Sequence, residues 1–133
     1  MSVFIDTGAF LAVLNADDQF HGPAKKTWID ILSTEKELFT SNYILLETFA
    51  LLQRRLGLEA LRVFHDDILP IVQTYWIDES IYKMGISALL AANRRSLSLV
   101  DCTSFEIIRQ MDIDQVFTFD SHFSELGFNV TPS

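Results

Sequence analysis

Four acids in this chain are set against apolar runs. Asp6 follows Val3-Phe4-Ile5, Asp101 follows Leu99-Val100, Asp120 follows Val116-Phe117-Thr118-Phe119, and Glu47 interrupts the apolar stretch from Tyr43 to Leu52. Carboxylates brought to one rim of a parallel sheet repel one another strongly unless divalent cations neutralise them. Oxygen donors without a His/Cys cluster suit Mg²⁺ or Mn²⁺ rather than zinc, so Asp6, Glu47, Asp101 and Asp120 are the candidate metal ligands. Such ions keep several waters and contact phosphates. The chemistry that fits is hydrolysis of a phosphodiester, with an ion lowering the pKa of the attacking water and stabilising the leaving oxygen.

Each acid also has a plainer reading. Ser98-x-x-Asp101 matches a helix-opening capping pattern, and Asp120 stands before another helical start, Ser121-His122-Phe123. Glu47 could lie on a narrow exposed strip of its helix. Taken singly, each cap is more often structural than catalytic; it is the set of four that points to a shared site. The other reactive side chains are weaker candidates. His21, His65 and His122 are scattered and read as surface or hydrogen-bonded residues. Cys102 lies at a helix start, where a thiol pKa is lowered, but has no companion His to make it a nucleophile. The pairs Arg54-Arg55 and Arg94-Arg95 suit helix C-termini as well as phosphates. The aromatic residues fall mostly at core spacing, and none is assigned to base stacking.

The elements that must position the acids follow from periodicity. Val3-Phe4-Ile5 reads as a short buried strand turning into a helix, Ala9 to Asn15, with Asp6 at the turn. In an open α/β sheet, ligands bind beyond the carboxyl ends of the strands, which is where Asp6 falls. His21-Gly22-Pro23 opens a second helix, and Leu38-Phe39-Thr40 forms a second strand, followed by Ser41 or Asn42 as the cap of a third helix. The third helix carries Leu45, Phe49, Leu52 and Leu56 as a stripe, with Ile44, Leu46, Ala50 and Leu51 filling most of the remaining circumference. A helix apolar nearly all round is enclosed by protein, and Glu47 within it would need a partner or a metal. Gly57 ends that helix, a fourth runs from Leu58 to Leu69, and Pro70 stops it. Ile71 to Ile77 is the clearest strand. Asp78 caps a fifth helix with Ile81, Met84, Gly85, Ala88, Leu89 and Ala92 lining one face. A sixth runs to Met111, Val116 to Phe119 is the last core strand, and Phe128-Asn129-Val130 is a short edge strand.

The 133 residues correspond to one domain, 1–133, and 49% apolar content with 11 phenylalanines is enough to bury a core. A net charge of −8 excludes general nucleic-acid binding through a basic surface, but not a site where bound cations supply the positive charge. One cysteine rules out an internal disulfide and fits a reducing compartment. No leader-like or membrane-spanning run stands out, and a soluble cytoplasmic protein with no membrane partner is expected. No G-x-G-x-x-G occurs, which disfavours dinucleotide binding, and no lysine follows Lys83, which disfavours a phosphoacceptor receiver domain.

The acids of Phe4-Ile5-Asp6-Thr7-Gly8, of Glu47, of Leu99-Val100-Asp101-Cys102 and of Thr118-Phe119-Asp120 stand in the order and spacing of the PIN-domain ribonucleases. The chain resembles VapC-type toxins of type II toxin–antitoxin pairs in particular. Ser98 to Phe105, Thr118 to Phe123 and the closing Gly127-Phe128 are similar to one branch of that family. The resemblance covers essentially the whole chain and implies a three-layer α/β fold with a central parallel sheet of four to five strands. It implies that Asp6, Glu47, Asp101 and Asp120 hold Mg²⁺ or Mn²⁺, with Asp6 and Asp101 as direct ligands, and that Thr118 orients water or a neighbouring carboxylate. Gly8 stands where many relatives have Ser or Asn. It further implies metal-dependent cleavage of RNA, often tRNA or rRNA, a homodimer, and silencing by a cognate antitoxin. The alternative of a different class is a non-catalytic PIN-like module that binds protein or RNA without cutting.

Overall fold

The computed structural model describes residues 1–133. Its elements are β1 (Ser2–Ile5), α1 (Thr7–Leu14), α2 (His21–Ser33), β2 (Glu37–Ser41), α3 (Asn42–Leu56), α4 (Leu58–Val63), β3 (Gln73–Tyr75), α5 (Glu79–Ala92), α6 (Leu99–Met111), β4 (Gln115–Phe117), α7 (Ser121–Glu125) and β5 (Val130–Thr131). The strands form one five-stranded sheet in the order β3-β2-β1-β4-β5, and every pairing is parallel. This is the expected α/β architecture, with helices on both faces of the sheet. A parallel strand covered on both faces reads as an unbroken apolar run. Val3, Phe4 and Ile5 behave accordingly and are wholly buried. No helix is long and apolar enough to cross a membrane.

The strand order decides where a site can form. The chain steps outward on one side from β1 through β2 to β3, then returns to the other side of β1 for β4 and β5. The order therefore reverses between β1 and β4, and connections leaving those two carboxyl ends go to different parts of the molecule, opening a crevice. In register, Ile5 pairs with Phe117, so Asp6 and Thr118 emerge side by side at the mouth of that crevice.

Several elements depart from their sequence pattern. The fourth helix does not continue to Leu69; α4 stops at Val63, a wider π turn spans Phe64–Ile68, and a 3-10 turn spans Leu69–Ile71. Pro70 explains this, because in a continued α-helix its ring would strike the carbonyl of Asp66 and it has no N–H to donate. The Leu69 N–H bonds instead to the Phe64 carbonyl, five residues back. The strand expected over Ile71 to Ile77 keeps only Gln73–Tyr75, since Ile71 belongs to the 3-10 turn and the Ile77 N–H donates to Asn42 Oδ1 at 2.7 Å rather than to a ladder.

The third helix is not enclosed. Its buried residues are Ile44, Thr48 and Leu52, whereas Leu46 is 72% exposed. Only one face packs on the sheet, and Thr48 is tolerated there because its hydroxyl donates to the Ile44 carbonyl at 2.7 Å. On α5 only Ile81 and Gly85 are buried, and Met84, Ala88 and Ala92 are exposed.

Gly85 sets the approach of α5 to α6, the helix that begins beside Asp101. A Cβ at this position would lie 2.6 Å from Thr103 Cγ2 and 3.2 Å from Leu99 Cδ1. Thr103 is fully buried, and its hydroxyl donates to the Leu99 and Val100 carbonyls, so it cannot swing away. Overpacking of this kind costs about 1–3 kcal/mol and outweighs the ~1 kcal/mol that Ala gains over Gly in a helix. Gly85→Ala is expected to lower the unfolding free energy by about 1 kcal/mol in urea titrations. Adding Thr103→Ser, which removes Cγ2 and keeps the hydroxyl, should restore most of it.

Candidate metal centre

Asp6 occupies the N-cap position of α1, yet its side chain makes no capping hydrogen bond. Its carboxylate instead accepts a hydrogen bond from Thr118 Oγ1, at 3.0 Å to Oδ2, across the gap between β1 and β4. The Asp6 backbone N–H is held by the Phe117 carbonyl at 3.1 Å. Helix capping therefore does not account for this acid. Thr118 Oγ1 also accepts the Asp120 N–H at 3.0 Å, so one buried hydroxyl links the acids at the ends of two strands.

Asp101 and Asp120 do cap helices, as their sequence context suggests. Ser98 and Asp101 form a complete capping box: the Asp101 N–H donates to Ser98 Oγ at 3.0 Å, and the Ser98 N–H donates to Asp101 Oδ2 at 3.1 Å. Asp120 Oδ1 accepts the His122 N–H at 2.9 Å. Capping and a role in the cleft are compatible, because a carboxylate offers about four lone-pair sites and each of these hydrogen bonds uses one.

These acids line one open cavity of about 490 Å³ together with Glu47. The sequence-derived candidates Asp6, Glu47, Asp101 and Asp120 thus share a single rim, with Thr118 bonded to two of them. A ligand atom from each of Asp101, Asp120 and His122 lies within 4.8 Å of the others; Asp6 and Glu47 stand outside this tighter group. Burial, followed by the charge of Asp101, pushes the Asp6 carboxyl up to about 7, against the lowering effect of hydrogen bonds from Thr118 and the Thr7 backbone. Asp101 is raised as well, first by burial and then by Asp120, against the hydrogen bonds from Ser98.

The residues present fit a divalent cation. The donors are carboxylate oxygens, which suit hard ions that retain water. Two buried polar atoms beside them, Thr7 Oγ1 and His122 Nδ1, have no hydrogen-bond partner. A Cβ at Gly8 would meet nothing within 4 Å, so a side chain there would project into the open cavity.

Arg55 and Phe20 on the cavity wall, and His122 beside the acids, were not assigned from sequence. Arg55 is the one basic side chain on the cavity wall. Its signal was present, since Glu47, Leu51 and Arg55 recur every fourth residue on one helical face. Phe20 is 39% exposed and stacks on Phe119 with centroids 4.7 Å apart and planes 5° from parallel, so one aromatic pair does face the cleft. His122 joins the acids because α7 starts at Ser121. Cys102 departs from expectation in the other direction. Its thiol is pushed up by burial and by Asp101, not lowered by the helix start.

A family model of the PIN domain matches residues 3–129. The chain belongs to the PIN-domain family. Within it, the 23S rRNA-specific endonuclease VapC20 of Mycobacterium tuberculosis is 33% identical over 127 residues, covering 95% of each protein, which places this PIN domain among the VapC proteins. The crystal structure of that sarcin-ricin-loop-cleaving toxin superposes with a TM-score of 0.80 at 32% identity, covering 95% of both chains. VapBC2 from Rickettsia felis, bound to a DNA fragment from their promoter, superposes at 0.71 with 10% identity over 98% of this chain and 97% of its own. FitAcB from Neisseria gonorrhoeae superposes at 0.69 with 18% identity over 96% and 95%. The last two share the fold.

The raised Asp6 carboxyl has a consequence for stability. In the unfolded chain this group titrates near 3.8, and in the folded protein near 7. The folded state therefore holds the proton more tightly, and stability falls as pH rises from about 4 to about 7, by an amount of order a few kcal/mol. In chelator-treated protein, urea unfolding at pH 5 and pH 8 should show this loss. Asp6→Asn should shrink the difference and be the more stable protein at pH 8.

Proposed function

We propose that this VapC-family PIN domain is a Mg²⁺- or Mn²⁺-dependent endoribonuclease, the toxin of a type II toxin–antitoxin pair. The observation that carries the reading is the Asp6 carboxylate. It is buried at the sheet's switch point, outside any cap, and anchored by Thr118 beside two further acids. The 33% identity to a 23S rRNA-specific endonuclease over 95% of both chains supports RNA as substrate, with ribosomal RNA as the first class to test.

Asp6, Asp101 and Asp120 would hold the cation, with Glu47 completing the rim. When bound, the cation activates water and neutralises charge on the phosphate oxygens. The chain's own residues supply the orientation. Thr118 ties the Asp6 carboxylate to the Asp120 backbone, and the capping box holds the Asp101 carboxylate through the Ser98 N–H. Pre-set carboxylates of this kind need no rearrangement when charge develops on the phosphate. Arg55, across the cleft on α3, is placed to take a neighbouring phosphate of the strand, and the exposed face of Phe20 offers a surface for an unstacked base.

Pairing with a second copy and inhibition by a cognate antitoxin complete the proposal. The uncovered apolar residues of α3 and α5, including Leu46, Met84 and Leu90, support a surface of that kind.

Purified protein incubated with ribosomes, rRNA and tRNA in Mn²⁺ or Mg²⁺ should cleave at discrete sites, and chelation should abolish cutting. Asp6→Asn and Asp101→Asn should stay folded and lose roughly 10²-fold or more of the rate. Cleavage persisting unchanged in both variants sinks the reading, and a stable partner complex with no affinity for metal would favour a module that only binds.

A further inference from the structure

His122 stands beside two acids of the cleft, Asp101 and Asp120, and the four-acid scheme gives it no role. It sits at the second position of α7, and its ring is mostly covered, with 13% of the side chain exposed. The two ring nitrogens face different surroundings. Nε2 lies 3.2 Å from Ser96 Oγ, which fixes the ring against the loop before α6. Nδ1 lies 2.8 Å from Asp120 Oδ1 and 3.9 Å from Asp101 Oδ2, is shut off from solvent, and makes no hydrogen bond.

That combination is informative. A nitrogen 2.8 Å from a carboxylate oxygen would normally donate to it, yet the in-plane direction of the ring nitrogen misses the oxygen, so no bond forms. Donor atoms that share one ion have this relation. They lie beside each other with their lone pairs converging on a third point rather than on one another. Donor atoms of His122, Asp101 and Asp120 lie within 4.8 Å of one another, a group compact enough to hold one ion. Ser96 supplies the outer hydrogen bond that ligating imidazoles commonly have on their second nitrogen.

We propose that His122 Nδ1 is a ligand to the divalent cation at the Asp101–Asp120 end of the cleft, and that it tilts the site toward Mn²⁺ and later first-row ions over Mg²⁺. The inference rests on the metal-dependent reading above and deepens it. Mg²⁺ prefers oxygen donors throughout, whereas transition ions accept imidazole readily, so a nitrogen in the set discriminates between them. The same ligand set would place α7, through His122, in the control of metal occupancy.

The test needs no substrate. Full-length protein is loaded with Mn²⁺, and pulsed electron paramagnetic resonance reads coupling to imidazole nitrogen; calorimetry gives Mn²⁺ and Mg²⁺ affinities for wild type, His122→Ala, His122→Asn and Ser96→Ala. Nitrogen coupling in wild type should vanish in His122→Ala. The Mn²⁺ dissociation constant should rise about tenfold in both His122 variants, while that for Mg²⁺ changes less than about threefold. Ser96→Ala, which only loosens the ring, should keep the nitrogen signal. Mn²⁺ binding with no nitrogen coupling in wild type overturns the role of His122 and leaves the carboxylate site standing. Absence of any Mn²⁺ binding at millimolar concentration overturns the metal-dependent reading itself, and this proposal with it.

Discussion

Carboxylates crowded at the end of a buried sheet repel one another, and this constraint organises the molecule. Asp6 is 7% exposed and Asp101 8%; the charge of Asp101 raises the affinity of Asp6 for a proton, and that of Asp120 raises the affinity of Asp101. Burial alone makes the charged form of either costly. A protein selected for stability alone would replace such a pair with apolar residues of similar size. That the chain keeps them, and adds Asp120 and Glu47 on the same rim, makes sense if cations supply the missing charge.

The rest of the fold holds these groups in place against their repulsion. Thr118 bridges two of them, the capping box immobilises a third, and Asp120 is fixed at the start of α7. The anchors of Asp101 and Asp120 are local, so each of these two acids is set by its own helix terminus. Only the meeting of the termini is long-range, and it is fixed by pairing between β1 and β4, where Ile5 lies opposite Phe117. Close packing of α5 on α6 at Gly85 steadies the helix that carries Asp101. Positions of this kind, far from the chemistry, set the precision of the site.

Polarity around the cleft is uneven, and this bears on function. Arg55 is its one cation, in a protein of net charge −8. Under the proposed function, affinity for RNA would come not from a broad basic surface but from ions in the site together with a few contacts at its rim. The Phe20–Phe119 pair forms an apolar wall beside the acids. The uncovered apolar residues of α3 and α5 lie outside the cavity's acidic rim and are consistent with protein contacts rather than RNA contacts.

Much of this was legible in the amino-acid order. Local signals carry local structure: the unbroken Val3-Phe4-Ile5 run, the Ser98-x-x-Asp101 cap and the turn at Asp120 each specify their own few residues through backbone hydrogen bonding and burial. The alternation of strands and helices was enough for a parallel α/β sheet, and with it for acids at strand ends. What no local pattern contains is distance between remote segments. The sequence could not say that the uncapped Asp6 faces Thr118, that Phe20 reaches Phe119, or that His122 turns its Nδ1 toward Asp101 and Asp120. It overstated the enclosure of α3, because a helical face is buried only where another layer exists to cover it, and it missed the π turn ahead of Pro70. Those features follow from which elements become neighbours, and that was decided by the reversal of strand order between β1 and β4.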